Sequence, residues 1–249
     1  MNNIILFLFL FIILHVIYII LDKQIDSFIS WKEYEKNIIY CFWTGKNEMS
    51  DNRKRCLENL KNMEKCETIL ITSDNLQDYI LSDNPLHEAY EHLSETHKAD
   101  YLRTYFMHFY GGGYSDIKSP SDNWENAFEN MRNDEKMYIN GYRETSAGDI
   151  AYYEVSDRYN ELIGNGAYIV RPNTEFTNRW YNSMIQLMDS KLIELKNNPA
   201  SSPQDTKGSS SGYPLEWNEM LGRIFHKELI NCLPYILFTV PRPITSEYR

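Results

Sequence analysis

The chain has 249 residues, of which 43% are hydrophobic, and its formal net charge at pH 7 is −10. A chain of this length can bury one sizeable core, so we expect one soluble domain rather than two. The acidic balance argues against nucleic acid as a partner, because phosphate contacts need clustered Lys and Arg side chains. A small ligand that carries phosphate is not excluded, since it needs only one or two local cations.

An almost purely apolar run opens the chain over residues 4–21. At about 1.5 Å per residue in a helix, roughly 18 residues span about 27 Å, which is enough to cross a bilayer core. A cleaved signal peptide is the alternative, but the basic N-terminal region and the small-residue cleavage site are missing. We therefore expect a transmembrane anchor over residues 1–22 and a short stem over residues 23–36. The protein would then be a single-pass, type II protein of a Golgi-like or ER-like endomembrane or of another membrane.

The domain after the stem, residues 37–249, begins with a continuous apolar run of strand length, Asn37–Trp43. A helix is predicted over 52–65 and a second strand over 67–73, an order that predicts a right-handed βαβ unit. Ligands of open α/β sheets lie beyond the carboxyl ends of the strands, which places Trp43 at the ligand end. Trp43 could stack on a base, and a core aromatic that closes the strand explains it equally well.

The central segment, residues 94–128, combines a helix, three consecutive glycines and a short charged strand. The apolar residues of the helix follow the i, i+3, i+4, i+7 spacing of one buried stripe, and Asp100 and Arg103 share a neighbouring face. The glycines end the helix, because Gly adopts conformations that other residues resist, and they would let a ligand approach the backbone. The strand that follows is predicted to run through Lys118. Side chains two apart on a strand point the same way, so Asp116 and Lys118 should project together.

Each of these charged residues also has an ordinary structural interpretation. Asp100 and Arg103, considered alone, are equally well explained as a surface ion pair, and such pairs contribute little to stability. Asp116 could be a turn residue. Because it follows three glycines and shares a strand face with Lys118, it is better explained as part of a site.

The order of these residues resembles the sugar-binding region of the DXD-containing glycosyltransferases. This group includes yeast-type mannosyltransferases, α-1,4-glycosyltransferases, capsular polysaccharide enzymes and clostridial toxin glucosyltransferases. Its motif has the form D-x-x-R, then Y-G-G-x-Y-x-D-x-D. The chain has Asp100 and Arg103 on an aromatic-rich helix, then the three glycines of residues 111–113 with Tyr114, and then Asp116. The chain departs from the motif at Lys118, where the family has the second Asp.

The resemblance implies a GT-A-like α/β fold, a Rossmann-type mixed sheet with flanking helices. It also implies a hexosyltransferase that moves a hexose from a nucleotide-diphosphate sugar to a glycan, lipid-linked or protein acceptor, with retention of anomeric configuration. Asp100 and Arg103 would contact the sugar and the diphosphate. Asp116 and Lys118 would be the catalytic residues. The donor-binding residues would be Trp43, Thr44, Asp100, Arg103, Gly112, Gly113, Tyr114 and Asp116.

The cofactor implied by the family is Mn²⁺ or Mg²⁺, with Asp116 as a ligand. Replacing the second acid by Lys118 removes a ligand and places a positive charge about where the metal would stand. We therefore expect metal binding to be weak or dispensable. The alternative is that Asp116, the phosphates and another acid such as Asp205 still hold Mn²⁺, with Lys118 turned to solvent.

The second half of the chain predicts strands over 137–142 and 166–171 and a helix that begins at residues 172–174. The Met and aromatic stripe of this helix is interpreted as core. Residues 197–214 read as a long loop, which we expect to be a mobile lid over the donor. Residues 215–226 resemble the segment that family members fold back over the site. The acceptor or lid residues would be Asn165, Gly166, Asp205, Trp217, Asn218 and Glu219.

Two other functions stay open at this point. A pseudoenzyme could keep the nucleotide-sugar or carbohydrate pocket and lack turnover because the second Asp is missing. A membrane-tethered interaction protein would have no donor site, and no nucleotide diphosphate would raise its melting temperature.

Overall fold

The computed structural model describes residue 13, residues 36–246 and residue 248. Apart from residue 13 and residue 36, the expected anchor and stem lie outside the described residues, so both stay predictions. Within the described residues, no helix is both long enough and apolar enough to cross a membrane.

One mixed sheet organises the domain that begins at Lys36. Its strands in the described part of the chain are β1 (Asn37–Trp43), β2 (Cys66–Thr72), β3 (Gly112–Ser115), β4 (Ile139–Arg143), β5 (Ile163–Val170) and β6 (Ile236–Leu237). They lie in the order β2-β1-β3-β5-β4-β6. β1 is parallel to β2 and β3, and β4 is parallel to β6, whereas β5 is antiparallel to β3 and β4. The expected mixed α/β sheet is confirmed.

Helices flank this sheet, as expected. They are α1 (Asp51–Lys61), α2 (Glu95–Phe109), α3 (Glu125–Asn133), α4 (Glu175–Asn197) and α5 (Ile224–Leu229), which follows a π-helical turn at Glu219–Arg223. Hydroxyl side chains cap the N-termini of three of these helices. Ser50, Ser94 and Thr174 each accept a hydrogen bond from the backbone N–H three residues later. Such caps satisfy amides that have no partner inside the helix.

The apolar stripe of α2 forms the centre of the core. Phe106 is fully buried, and its ring packs edge-on against the rings of Tyr40 and Phe42 of β1, with centroids 5.0 and 5.1 Å away. Aromatic pairs prefer this edge-to-face geometry because the ring edge is positive and the face negative. The interpretation of the α4 stripe as core is also confirmed, since Trp180 is fully buried and its ring centroid lies 5.0 Å from that of Phe225. These contacts fix α2, and therefore Asp100 and Arg103, against the sheet.

The glycines before Asp116 serve packing. Gly112 has φ +86°, and a Cβ there would lie 3.0 Å from the carbonyl oxygen of Ile38 in β1. A Cβ on Gly113 would meet Ile39 at 3.0 Å and Phe128 of α3 at 3.2 Å. The glycines therefore let β3 lie between β1 and α3, and neither one lines the cavities described below. Their expected contact with the donor stays a prediction.

β3 ends earlier than expected, at Ser115 rather than at Lys118. The backbone N–H of Asp116 still donates to the Gly166 carbonyl, 2.8 Å away, but the N–H of Lys118 donates back to the Asp116 carbonyl at 2.6 Å. That turn removes the chain from the strand ladder. Asp116 and Lys118 therefore lie on a loop beyond the carboxyl end of the strand, which is where open α/β sheets bind ligands.

Candidate active site

Asp116 is the centre of a group of polar side chains at the end of β3. Its Oδ1 accepts a hydrogen bond from the Tyr114 hydroxyl at 2.5 Å and lies 3.2 Å from Nη2 of Arg103. Its Oδ2 accepts from Nζ of Lys118 at 2.8 Å. The Arg103 guanidinium also stacks on the Tyr114 ring, 4.4 Å from its centroid. The structure therefore brings together the residues that the resemblance singled out, and it turns Lys118 toward Asp116 rather than to solvent.

The two aspartates of the group differ in charge. Burial alone would raise the pKa of Asp116, but Arg103 and Lys118 outweigh it and lower that pKa below its ordinary value. Burial raises the pKa of Asp100 to about 7, and Arg103, whose Nη2 lies 3.6 Å from Asp100, compensates only in part. Arg103 is nearer to Asp116. At neutral pH Asp116 is ionised and Asp100 is partly protonated.

This difference predicts how stability depends on pH. The pKa of Asp100 rises from 3.8 to about 7 on folding. Between these two pH values the folded state keeps a proton that the unfolded state has lost. The contribution of Asp100 to the free energy of unfolding therefore falls as pH rises from 3.8 to about 7, and it is constant above that range. We expect the free energy of unfolding of wild type, relative to Asp100→Asn, to decrease by roughly 2–4 kcal/mol across this range. Denaturant unfolding of both proteins at a series of pH values measures it. A difference that grows with pH would show that Asp100 is ionised in the folded protein.

A first cavity of about 680 Å³ lies between the carboxyl end of β1, the start of α1 and the Asp116 group. Trp43 is partly exposed in its wall, and its Nε1 donates to the Asn47 carbonyl at 2.9 Å. The Thr44 hydroxyl donates to the Glu95 carbonyl at 2.8 Å. These bonds hold the loop after β1 in place. Arg53 of α1 adds a second guanidinium to this wall.

A second cavity of about 470 Å³ lies at the ends of β4 and β5. Among the residues that line it are four expected as acceptor or lid residues: Asn165, Gly166, Trp217 and Asn218. Sequence reasoning missed three charged residues of this lining, namely Glu144, Asp149 and Arg242. Glu144 comes directly after β4, just as Asp116 comes directly after β3, and this position at the end of a strand could have indicated a site residue. No sequence pattern indicated Arg242, which lies in a proline-rich segment near the end of the chain.

Two of the expected acceptor or lid residues line neither cavity. The Asp205 carboxylate accepts from the backbone N–H and the hydroxyl of Ser201, at 2.8 and 3.0 Å, and from the Ser209 hydroxyl. It organises its own loop, and the hydroxyl and amide donors lower its pKa despite its burial. Glu219 accepts from the backbone N–H of Glu216 at 2.9 Å and so begins the π-helical turn.

The donor set at Asp116 does not fit a divalent cation. Hard cations such as Mg²⁺ and Mn²⁺ need several oxygen ligands. Both oxygens of Asp116 already accept hydrogen bonds, and two of the three neighbouring groups are cations. In the part of the chain that the structure describes, no group of three or more His, Cys, Asp or Glu residues could hold a metal ion. Asp205 is engaged in its own loop.

Comparisons with known proteins bear on these residues. Residues 9–117 match the family model described as "Capsular polysaccharide synthesis protein". No curated protein matches the chain by sequence. Among solved structures, the chain is similar to one titled "PaToxG Glycosyltransferase", with 13% identity and a TM-score of 0.44 over 87% of this chain and 80% of that one.

The family match covers the part of the chain that contains Asp100, Arg103 and Asp116, and it ends before Lys118. The resemblance drawn from the D-x-x-R and glycine-rich patterns is confirmed over this range, whereas the variant at Lys118 lies beyond it. Over residues 9–117 the chain is similar to the capsular polysaccharide synthesis proteins, and this similarity supports a glycosyltransferase.

Proposed function

We propose that the protein transfers a hexose from a nucleotide-diphosphate sugar to a glycan acceptor, with retention of anomeric configuration as the family resemblance implies. The observation that carries this proposal is the Asp116, Arg103 and Lys118 group, which borders both cavities at the carboxyl end of β3. Tight ionic contacts around one ionised carboxylate at this position are typical of a site rather than of a surface.

The first cavity suits the nucleotide and the diphosphate. β1 lies between β2 and β3, so the strand order reverses there, and such a switch point is where open α/β sheets bind nucleotides. Trp43 offers a partly exposed ring for stacking on the base. Arg53, Arg103 and Lys118 supply cations, and the N-terminus of α1 adds a positive dipole end.

Glycosyl transfer breaks the bond between the anomeric carbon and the diphosphate oxygen, and the electron pair leaves with the diphosphate. An acceptor hydroxyl oxygen forms the new bond to the anomeric carbon, and its proton passes to the departing diphosphate. Fixed positive groups that face this developing charge lower the barrier, because they need no reorganisation during the reaction. In this proposal Lys118 and Arg103 stabilise the leaving diphosphate, and Asp116 holds both cations in place and accepts a sugar or ribose hydroxyl. Lys118 then supplies the charge that a divalent ion supplies in D-x-D enzymes.

A thermal-shift panel of nucleotide sugars, followed by donor turnover, tests the proposal. A ligand at 100 times its dissociation constant stabilises the folded state by about 2.7 kcal/mol. Nucleotide sugars that carry the correct base should therefore raise the melting temperature clearly. Hydrolysis or transfer of that donor is the expected result. Binding without turnover would favour the pseudoenzyme, which the missing second acid makes a specific alternative. If no nucleotide diphosphate bound, the donor site would be ruled out.

A further inference from the structure

We propose that the second cavity binds the acceptor as a hydroxyl-rich sugar and that Glu144 accepts a hydrogen bond from an acceptor hydroxyl there. The proposal deepens the proposed function and rests on it, since it needs the donor in the first cavity.

The strand order places the two cavities on either side of the reacting group. Asp116 follows β3, which lies between β1 and β5 in the sheet. The first cavity borders the end of β1, and the second borders the ends of β5 and β4. Arg103, Asp116 and Lys118 line both. A molecule in the second cavity therefore reaches the Asp116 group from the side away from the nucleotide.

The Glu144 carboxyl group has one oxygen that is held by a hydrogen bond and one that is available to a ligand. Its side chain is buried, and one oxygen, Oε2, accepts from Nη2 of Arg242 at 2.7 Å. The same guanidinium donates to the Thr145 hydroxyl at 3.2 Å and lies 5.1 Å from the centre of the Tyr142 ring. The second carboxylate oxygen of Glu144 accepts no hydrogen bond from the described residues. Burial and the neighbouring Asp149 raise the pKa of Glu144 to about 7, and Arg242 compensates only in part. Above that pH, a hydrogen bond from a hydroxyl to this oxygen is charge-assisted and stronger than a neutral one.

The remaining wall suits a sugar. Trp217 is 48% exposed and lines both cavities, so its ring can cover one face of a sugar. The side-chain oxygen of Asn165 is buried without a hydrogen-bond partner among the described residues. Asp149 lies beside Arg242, 4.0 Å away, and adds a further carboxylate. Arg103, Lys118 and Arg242 also line this cavity, so its wall combines hydrogen-bond donors with carboxyl groups that accept from hydroxyls, which is the mixture that a sugar needs.

Binding of neutral disaccharides tests this inference. Lactose, maltose and cellobiose would be titrated into the full chain in detergent, with nucleotide diphosphate present, and followed by ligand-observed NMR. We expect at least one of them to bind. At about pH 8, where Glu144 is mostly ionised, we expect Glu144→Gln to raise its dissociation constant at least tenfold, since a charge-assisted hydrogen bond becomes a neutral one.

The control is Glu161→Gln, which breaks another Glu and Arg pair, with Arg158 at 2.8 Å, on an exposed surface outside both cavities. This variant should bind the disaccharide as wild type does. Nucleotide affinity, measured on the same samples, shows whether Glu144→Gln keeps its folded site. Absence of disaccharide binding in wild type, or equal binding in Glu144→Gln, overturns the acceptor site. If the nucleotide also fails to bind wild type, the proposed function fails as well.

Discussion

Asp116→Asn should lower kcat/KM for sugar transfer by roughly 10²-fold to 10³-fold, the range found when a single preorganised charge contact is removed from a site. The substitution keeps the size of the side chain and removes the negative charge that holds Arg103 and Lys118 together. Both cations would then repel each other beside the diphosphate. Steady-state transfer with the donor found in the nucleotide panel measures the loss.

The choice of asparagine follows from burial. Alanine is tolerated with little loss of stability at exposed polar positions. The Asp116 side chain is only 22% exposed and pairs with two cations, so alanine would remove the nearest carboxylate from both and cost stability. Arg103→Ala should also abolish transfer and, for the same reason, destabilise the fold. Asp122→Asn, in the exposed loop beyond, is the matched control and should keep most activity. Full activity in Asp116→Asn would show that the site is elsewhere.

Local patterns predicted the elements that position Asp116. The apolar run of β1 and the helical spacing of α2 follow from single periodicities, and both elements appear where they were expected. Asp100 and Arg103 could be placed on one side of a helix for the same reason. The end of β3 could not be located, because it depends on a turn that begins at Asp116 and on pairing with β5, which comes much later in the chain.

Long-range contacts explain what sequence reasoning missed. Arg242 and Glu144 are 98 residues apart and meet only because β4 and the segment after β6 lie side by side. No periodicity reports such a contact. Gly112 and Gly113 give another example, since the motif did not indicate the close approach that they permit to Ile38, Ile39 and Phe128.

Transfer in excess EDTA should continue in the wild type, and Lys118→Asp should make it dependent on Mn²⁺. Lys118 Nζ lies 2.8 Å from Asp116 Oδ2, and its side chain is only 16% exposed, so its ammonium group is held beside the carboxylate that would be a metal ligand in a D-x-D enzyme. Two unit charges 4 Å apart at an effective dielectric of 20 interact by about 4 kcal/mol, so one lysine can supply much of the attraction to the diphosphate that a metal would supply. A divalent ion at the same point would be repelled.

Lys118→Asp restores the second acid of the D-x-D pattern and exchanges the cation for an oxygen ligand. Without metal, two carboxylates would then face the diphosphate and repel it, so activity should be lost in EDTA and should return with Mn²⁺, which favours several oxygen ligands. Donor turnover in four conditions, both proteins with EDTA and with added Mn²⁺, makes the comparison. Lys118→Met, which is similar in length and uncharged, is the control, because it removes the cation without adding a ligand and should be weak in all conditions. Strict metal dependence in the wild type would contradict the proposal that Lys118 replaces the metal, since a metal would then bind beside Lys118 despite its charge.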